Sequence, residues 1–200
     1  MKRRFFVTAV FGSTLALAGA IVVAQAPLAI NTATITIAGT SNVHDYTATT
    51  AEAKVTRVEL GDAVPGATFW EDVQKPGGLQ AFDLSIPAAT LKSSKEGLDK
   101  NMYKALKTTQ HPQITFSLVK MEGAPGALKA VGTLTIAGVS QVVTLPLKTT
   151  PKGAGLLVTG ELNVLMTDYG IAPPKAMMGM VRADPKIKIT FEVLLGVATT

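Results

Sequence analysis

The sequence predicts an all-β domain: a single antiparallel barrel or sandwich of about eight strands carrying one amphipathic helix. Two observations predict it. Apolar and polar residues alternate with period two through almost every apolar run after Thr32, and glycines and prolines break those runs at short intervals. A third observation supplies the helix, because only 94–108 shows apolar residues at helical spacing. Each strand then has one apolar and one polar face, so one side of the sheet meets water.

The elements follow in order. Thr34, Ile35, Thr36 and Ile37 alternate as a half-buried strand should. Residues 51–60 form a looser strand, with Glu52, Lys54, Arg57 and Glu59 among apolar neighbours. A long connection between Gly61 and Gly78 holds the aromatic pair Phe69-Trp70, and a loop of that length is functional or mobile. Phe82, Leu84 and Ile86 alternate with Asp83 and Ser85. In 94–108, Leu98, Met102, Ala105 and Leu106 make one apolar face, and His111-Pro112 ends the helix. Ile114, Phe116 and Leu118 alternate next, then Leu134 and Ile136. Ala137-Gly138 reads as a hairpin turn, and Gly132 marks the start of a strand or a site of close packing. Val143, Leu145 and Leu147 follow, then 156–166. Ile187, Ile189, Phe191 and Val193 alternate with Lys186, Lys188, Thr190 and Glu192, the cleanest amphipathic strand of the chain.

The first residues specify export. Lys2, Arg3 and Arg4 precede an apolar stretch over 5–23, and no further charge occurs before Asp45. That is the pattern of a secretory signal peptide. Ala18-Gly19-Ala20 and Ala24-Gln25-Ala26 are both cleavage sites of the A-x-A type, so the leader is 1–26 at most, cut after Ala20 or Ala26. The alternative is an uncleaved anchor, since 5–30 is long enough to span a bilayer. The domain is then 27–200, in the periplasm.

Charge and cysteine content exclude several functions. Without Lys2, Arg3 and Arg4 the balance is 16 basic against 14 acidic residues, a net of +2, so there is no nucleic-acid footprint. With no cysteine, there is no disulfide, thiolate nucleophile, thiolate metal site or lipoprotein attachment. The roughly 170 remaining residues suffice for one domain with its own core.

Candidate chemistry is sparse. His44-Asp45 is the one adjacent imidazole–carboxylate pair, but neighbours on a strand face opposite ways, and Ser41 to Asp45 reads as a hydrogen-bonded turn. His111 is the second histidine, and no metal-ligand spacing joins the two. There is no nucleophile elbow, phosphate loop or dinucleotide fingerprint. Asp168 and Tyr169 follow a strand as turn formers do, and Lys100, Lys104 and Lys107 form a solvated helix face. No metal or cofactor is expected.

The segment 166–182 is the most informative. Pro173-Pro174 bars regular structure, and Met177, Met178 and Met180 come straight after it. Flexible, polarizable methionines suit an irregular apolar surface, here a loop closing an apolar cavity.

Five segments resemble the YceI-like family. They are AGTSNVHDY at 38–46, NMYKALK at 101–107, HPQITF at 111–116, GTLTIAGV at 132–139 and DYGI at 168–171. Their order and spacing agree as well, and the match is closest to a branch with H-D-[WY] and P-P-x-A-M-M-G. The resemblance implies an exported bacterial protein with an extended lipocalin-like barrel, which in some members holds a polyisoprenoid chain in an apolar tunnel. On that footing the expected function is periplasmic binding of an apolar chain, polyisoprenoid or fatty, with transient membrane contact, by a monomer or homodimer. The lining expected from strand parity is Phe82, Leu84, Ile114, Phe116, Leu118 and Leu134. Ile136, Val164, Met166, Met177, Met178 and Phe191 complete it, with the Met segment at one end. Two rivals remain: an enzyme acting on such a lipid through His44, Asp45, Asp168 and Tyr169, and a packed barrel serving as a stress-related interaction module.

Overall fold

A computed structural model describes residues 28–63 and 65–198. The basic n-region and both A-x-A sites lie outside the described residues.

The chain forms the expected antiparallel barrel as one curled sheet. In chain order the strands are β1 (Leu28–Ser41), β2 (Tyr46–Thr50), β3 (Lys54–Leu60), β4 (Leu79–Pro87), β5 (Lys92–Ser93) and β6 (Gln113–Glu122). Then come β7 (Leu128–Ile136), β8 (Val139–Lys152), β9 (Gly155–Leu165), β10 (Lys175–Ala176) and β11 (Val181–Val197). Two helices interrupt them, α1 (Phe69–Val73) and α2 (Glu96–Ala105). The strand order is β3-β4-β6-β7-β8-β9-β11-β1-β2-β5, with β10 paired to β11 alone.

Ten strands on that path exceed the eight expected, because β2 and the short β5 add to them, while the strand expected over 51–60 forms as β3. The placing of β2 and β3 also curls the sheet. β2 and β3 follow each other in the chain yet stand near opposite ends of the strand order. The link from Thr50 to Lys54 reaches only ~14 Å fully extended. The two edges must therefore come together, leaving an unpaired seam between them.

Side-chain parity sets the inside. On β7, Leu128, Ala130, Leu134 and Ile136 are buried, while Lys129 between them is exposed. On β6 the register shifts between Leu118 and Lys120, leaving Val119 61% exposed. That bulge flips the inward parity from Leu118 to Met121. Between β7 and β8, Ala137 (φ 51°) and Gly138 (φ 82°) make a two-residue turn with both central residues left-handed. This is the type I′ geometry that the strand twist favours.

The helix expected over 94–108 forms as α2. Asp99 fixes its start: its Oδ1 accepts the Ser93 N–H at 2.7 Å, and Lys92 Nζ lies 3.9 Å from Oδ2. Tyr103 donates its hydroxyl to the Leu91 carbonyl at 2.6 Å, so α2 is tied both to β5 and to the residue just before it. The hydrogen bonds from Ser93, with the Lys92 charge, hold the Asp99 carboxyl below the usual carboxylate range. A lowered folded pKa means stability present above the ordinary value near ~4 and lost as pH falls through the folded one. The Tm of the wild type should therefore drop more steeply between about pH 5 and pH 2 than that of Asp99→Asn. Parallel curves would exclude Asp99 as the acid-labile clasp of α2.

The connection between β3 and β4 contains a helix that strand-parity reasoning does not expect. In α1, Phe69 and Val73 are buried with Leu28 and Ala63. Phe69 meets Trp70 edge-on, with ring centroids 5.0 Å apart at 61°. Trp70 Nε1 donates to the Ala154 carbonyl at 2.9 Å, tying α1 to the β8–β9 hairpin. One end of the barrel is thereby plugged.

Candidate functional site

The barrel is hollow. Its cavity has a volume of about 370 Å³, and on β1 alone the lining runs from Ile30 to Ser41. At ~3.3 Å per residue that is roughly 35 Å of strand.

The apolar faces of five strands reach this cavity. Phe82 and Leu84 on β4 line it, as do Ile114, Phe116 and Leu118 on β6. Leu134 and Ile136 on β7, Val164 on β9, Met166 after it and Phe191 on β11 line it too. Met178 does not. It is fully exposed, because it sits left-handed (φ 56°, ψ 28°) at the tip of the β10–β11 hairpin. The tip of this hairpin therefore points to solvent at the rim, while Pro174, Lys175 and Val181 of the same segment line the cavity. The Met177 side chain lies outside the described residues.

Other lining residues escaped the parity argument. Ile35 and Ile37 on β1 and Leu145 and Leu147 on β8 face the cavity, as their alternation allows. Leu98, Met102 and Ala105 of α2 also line it. The signal for these was the helical apolar stripe, which covers the lumen as well as the sheet edge.

Three glycines shape the wall. A Cβ on Gly132 would collide with the Phe116 ring, one on Gly160 with Phe191, and one on Gly39 with Tyr46. All three aromatic side chains line the cavity. Each ring lies down over a bare strand position, which leaves the lumen clear of it.

The two ends differ. At the α1 end, Val73 and Gln74 are buried. Gln74 Oε1 accepts the Thr149 hydroxyl at 2.6 Å, and its amide donates to the Trp70 carbonyl. At the opposite end the lining residues His44 and Lys175 are exposed, which makes this the mouth. Ser41 to Asp45 is the expected turn: Ser41 Oγ accepts from the His44 N–H at 3.1 Å and donates to the His44 carbonyl at 2.8 Å. Asn42 stitches this turn to the β10–β11 hairpin. Its side chain donates to the Met180 carbonyl and accepts from the Arg182 N–H, each at 2.8 Å.

The four polar residues proposed as a catalytic centre are only partly gathered. His44 and Tyr169 line the cavity, whereas Asp45 and Asp168 do not. His44 Nδ1 lies 3.0 Å from the Asp45 carbonyl oxygen, a backbone group. Asp168 borders an outer groove with Gln141 and Lys186. Among the described residues, no three histidines, aspartates or glutamates come together as metal ligands.

Comparison with known proteins agrees with this architecture. The structure is similar to BcnA of Burkholderia cenocepacia, with a TM-score of 0.64 and 16% identity, covering 84% of this chain and 96% of that one. A polyisoprenoid binding domain from Saccharophagus degradans, implicated in plant cell wall breakdown, gives 0.61 and 11%, covering 87% and 100%. A YCEI protein of Campylobacter jejuni gives 0.56 and 17%, covering 74% and 82%. At such identities the likeness is one of fold. No curated protein sequence matches. The YceI-like domain pattern, however, matches residues 3–194, nearly the whole chain, and on that match the chain belongs to the YceI-like family.

Proposed function

We propose that this protein is an exported periplasmic carrier holding one apolar chain, a polyisoprenoid or a fatty lipid, inside its barrel. One observation carries the reading: a long apolar lumen, plugged at the α1 end and open at the other. Each buried methylene contributes ~0.8 kcal/mol, enough in a chain of this length to exceed the cost of immobilising it. The likeness to a polyisoprenoid binding domain supports the same reading. Catalysis is disfavoured because Asp45 and Asp168 are not among the residues lining the lumen that would hold the substrate.

The rim suits contact with a bilayer. Val43, Met178 and Met180 are 63%, 103% and 66% exposed on the two turns joined by Asn42. Apolar side chains held out beside a lipid-sized mouth would dip into a membrane during loading, and Lys175 and Arg182 beside them favour anionic lipid.

Two variants separate lumen from rim. Leu145→Glu places an unpaired charge among apolar lining groups and should weaken binding of a fluorescent polyprenyl probe by more than about 100-fold. Met178→Glu should leave probe affinity in solution unchanged and slow uptake from anionic vesicles. Equal loss of affinity in both variants would remove the lumen as the site.

A further inference from the structure

We infer that Tyr46 and Tyr169 form a head-group subsite at the mouth end of the lumen, taking an uncharged hydroxyl or carbonyl oxygen of the chain ligand. This rests on the chain-binding reading and deepens it. Among the described residues, two buried side-chain polar atoms have no hydrogen-bond partner within the protein, and they are these two tyrosine hydroxyls. Both tyrosines line the same cavity. Tyr169 is 2% exposed, so its hydroxyl has little access to bulk water.

The fold brings both to one end. Tyr46 opens β2 opposite Gly39, and its hydroxyl lies over the inward face of that glycine. Gly39 pairs on its other side with Ile187, which pairs with Val164 near the end of β9. Tyr169 lies just beyond, in the 3-10 turn Met166–Tyr169, packed with Ile136, Ala137 and Ile171. The blind end offers nothing comparable, because Gln74 and Thr149 already satisfy each other there.

Charge selects the head group. Among the described residues no arginine, aspartate or glutamate lines the cavity, and the single lysine, Lys175, is exposed at the rim. Burial foremost, with Asp184 beside Tyr46 and Asp168 beside Tyr169, pushes both phenol pKa values up. The hydroxyls therefore stay protonated donors. A neutral oxygen can accept from one hydroxyl without bringing a charge into an apolar wall.

The test compares geranylgeraniol, the matching diphosphate and the matching headless hydrocarbon on the wild type, Tyr46→Phe and Tyr169→Phe. The expected result is a preference for the alcohol over both others of about tenfold, the size of one buried hydrogen bond. In Tyr169→Phe the alcohol-over-hydrocarbon ratio should fall to about one with hydrocarbon affinity unchanged, and Tyr46→Phe should lower it in the same direction. Trp70, the one tryptophan of the chain, beside the plugged end, gives a second readout that needs no variant. Bromine at the tail tip of the alcohol should quench it, and bromine next to the head should not. Tighter binding of the diphosphate, an unchanged ratio in both variants, or quenching from the head position would each overturn the subsite. Binding of none of the three compounds would overturn the chain-binding reading instead.

Discussion

Phe69→Ala is expected to lower stability by ~3–5 kcal/mol, the range for deleting a buried aromatic ring. For a domain of this size that is a fall in Tm of roughly 6–20 °C. Phe69 is 3% exposed, wedged between Leu28, Ala63 and Val73 and set edge-on against Trp70. Removing it undoes the plug, so the effect should extend beyond stability. Trp70 emission should shift to longer wavelength, and chains too long for the wild-type lumen should bind. A thermal and fluorescence scan measures both. A Tm change below about 2 °C would mean that α1 rests on the barrel without closing it.

Gly132→Val should cost ~1–3 kcal/mol and weaken chain binding by more than about tenfold. The new Cβ meets the Phe116 ring and lies 2.6 Å from the Ser117 carbonyl oxygen, a backbone atom that cannot rotate away. The ring must rise from the wall into the lumen, where it occupies space meant for the ligand. Phe116→Leu in the same background should recover part of both losses, because the smaller side chain clears the valine. Additive effects of the two substitutions would show that the ring and the glycine are not coupled.

Much of the lumen was legible from strand parity, since a period of two admits only two faces and the apolar one must be covered. Phe116, Leu118, Leu134, Ile136 and Val164 stand on the wall for that reason alone. The bulge after Leu118 was not legible, nor was the consequent inward turn of Met121, because a one-residue shift depends on the partner strand. Gly132 could be read as close packing, but only the fold identifies Phe116 as the ring above it. α1 is a single short turn held by tertiary contacts with Leu28 and the β8–β9 hairpin, too brief for a periodic signal. Met178 misled for a local reason. Composition argued for an apolar environment, while its left-handed backbone at a hairpin tip turns the side chain to solvent. Tyr46 stood out only as part of a family segment and Tyr169 only beside the turn former Asp168, and their importance emerges from two hydroxyls buried without partners.

A hollow barrel and a sealed plug have a direct physical consequence: a chain once inside leaves only through the mouth, so it should survive gentle purification. Native mass spectrometry of the protein isolated from the envelope of cells that make it, repeated after organic extraction, tests this most directly. One non-covalent adduct per protein, in the mass range of a single long-chain lipid and removed by solvent, is the result a carrier requires. The bare chain mass in every preparation, with no lipid in the extract, would contradict it.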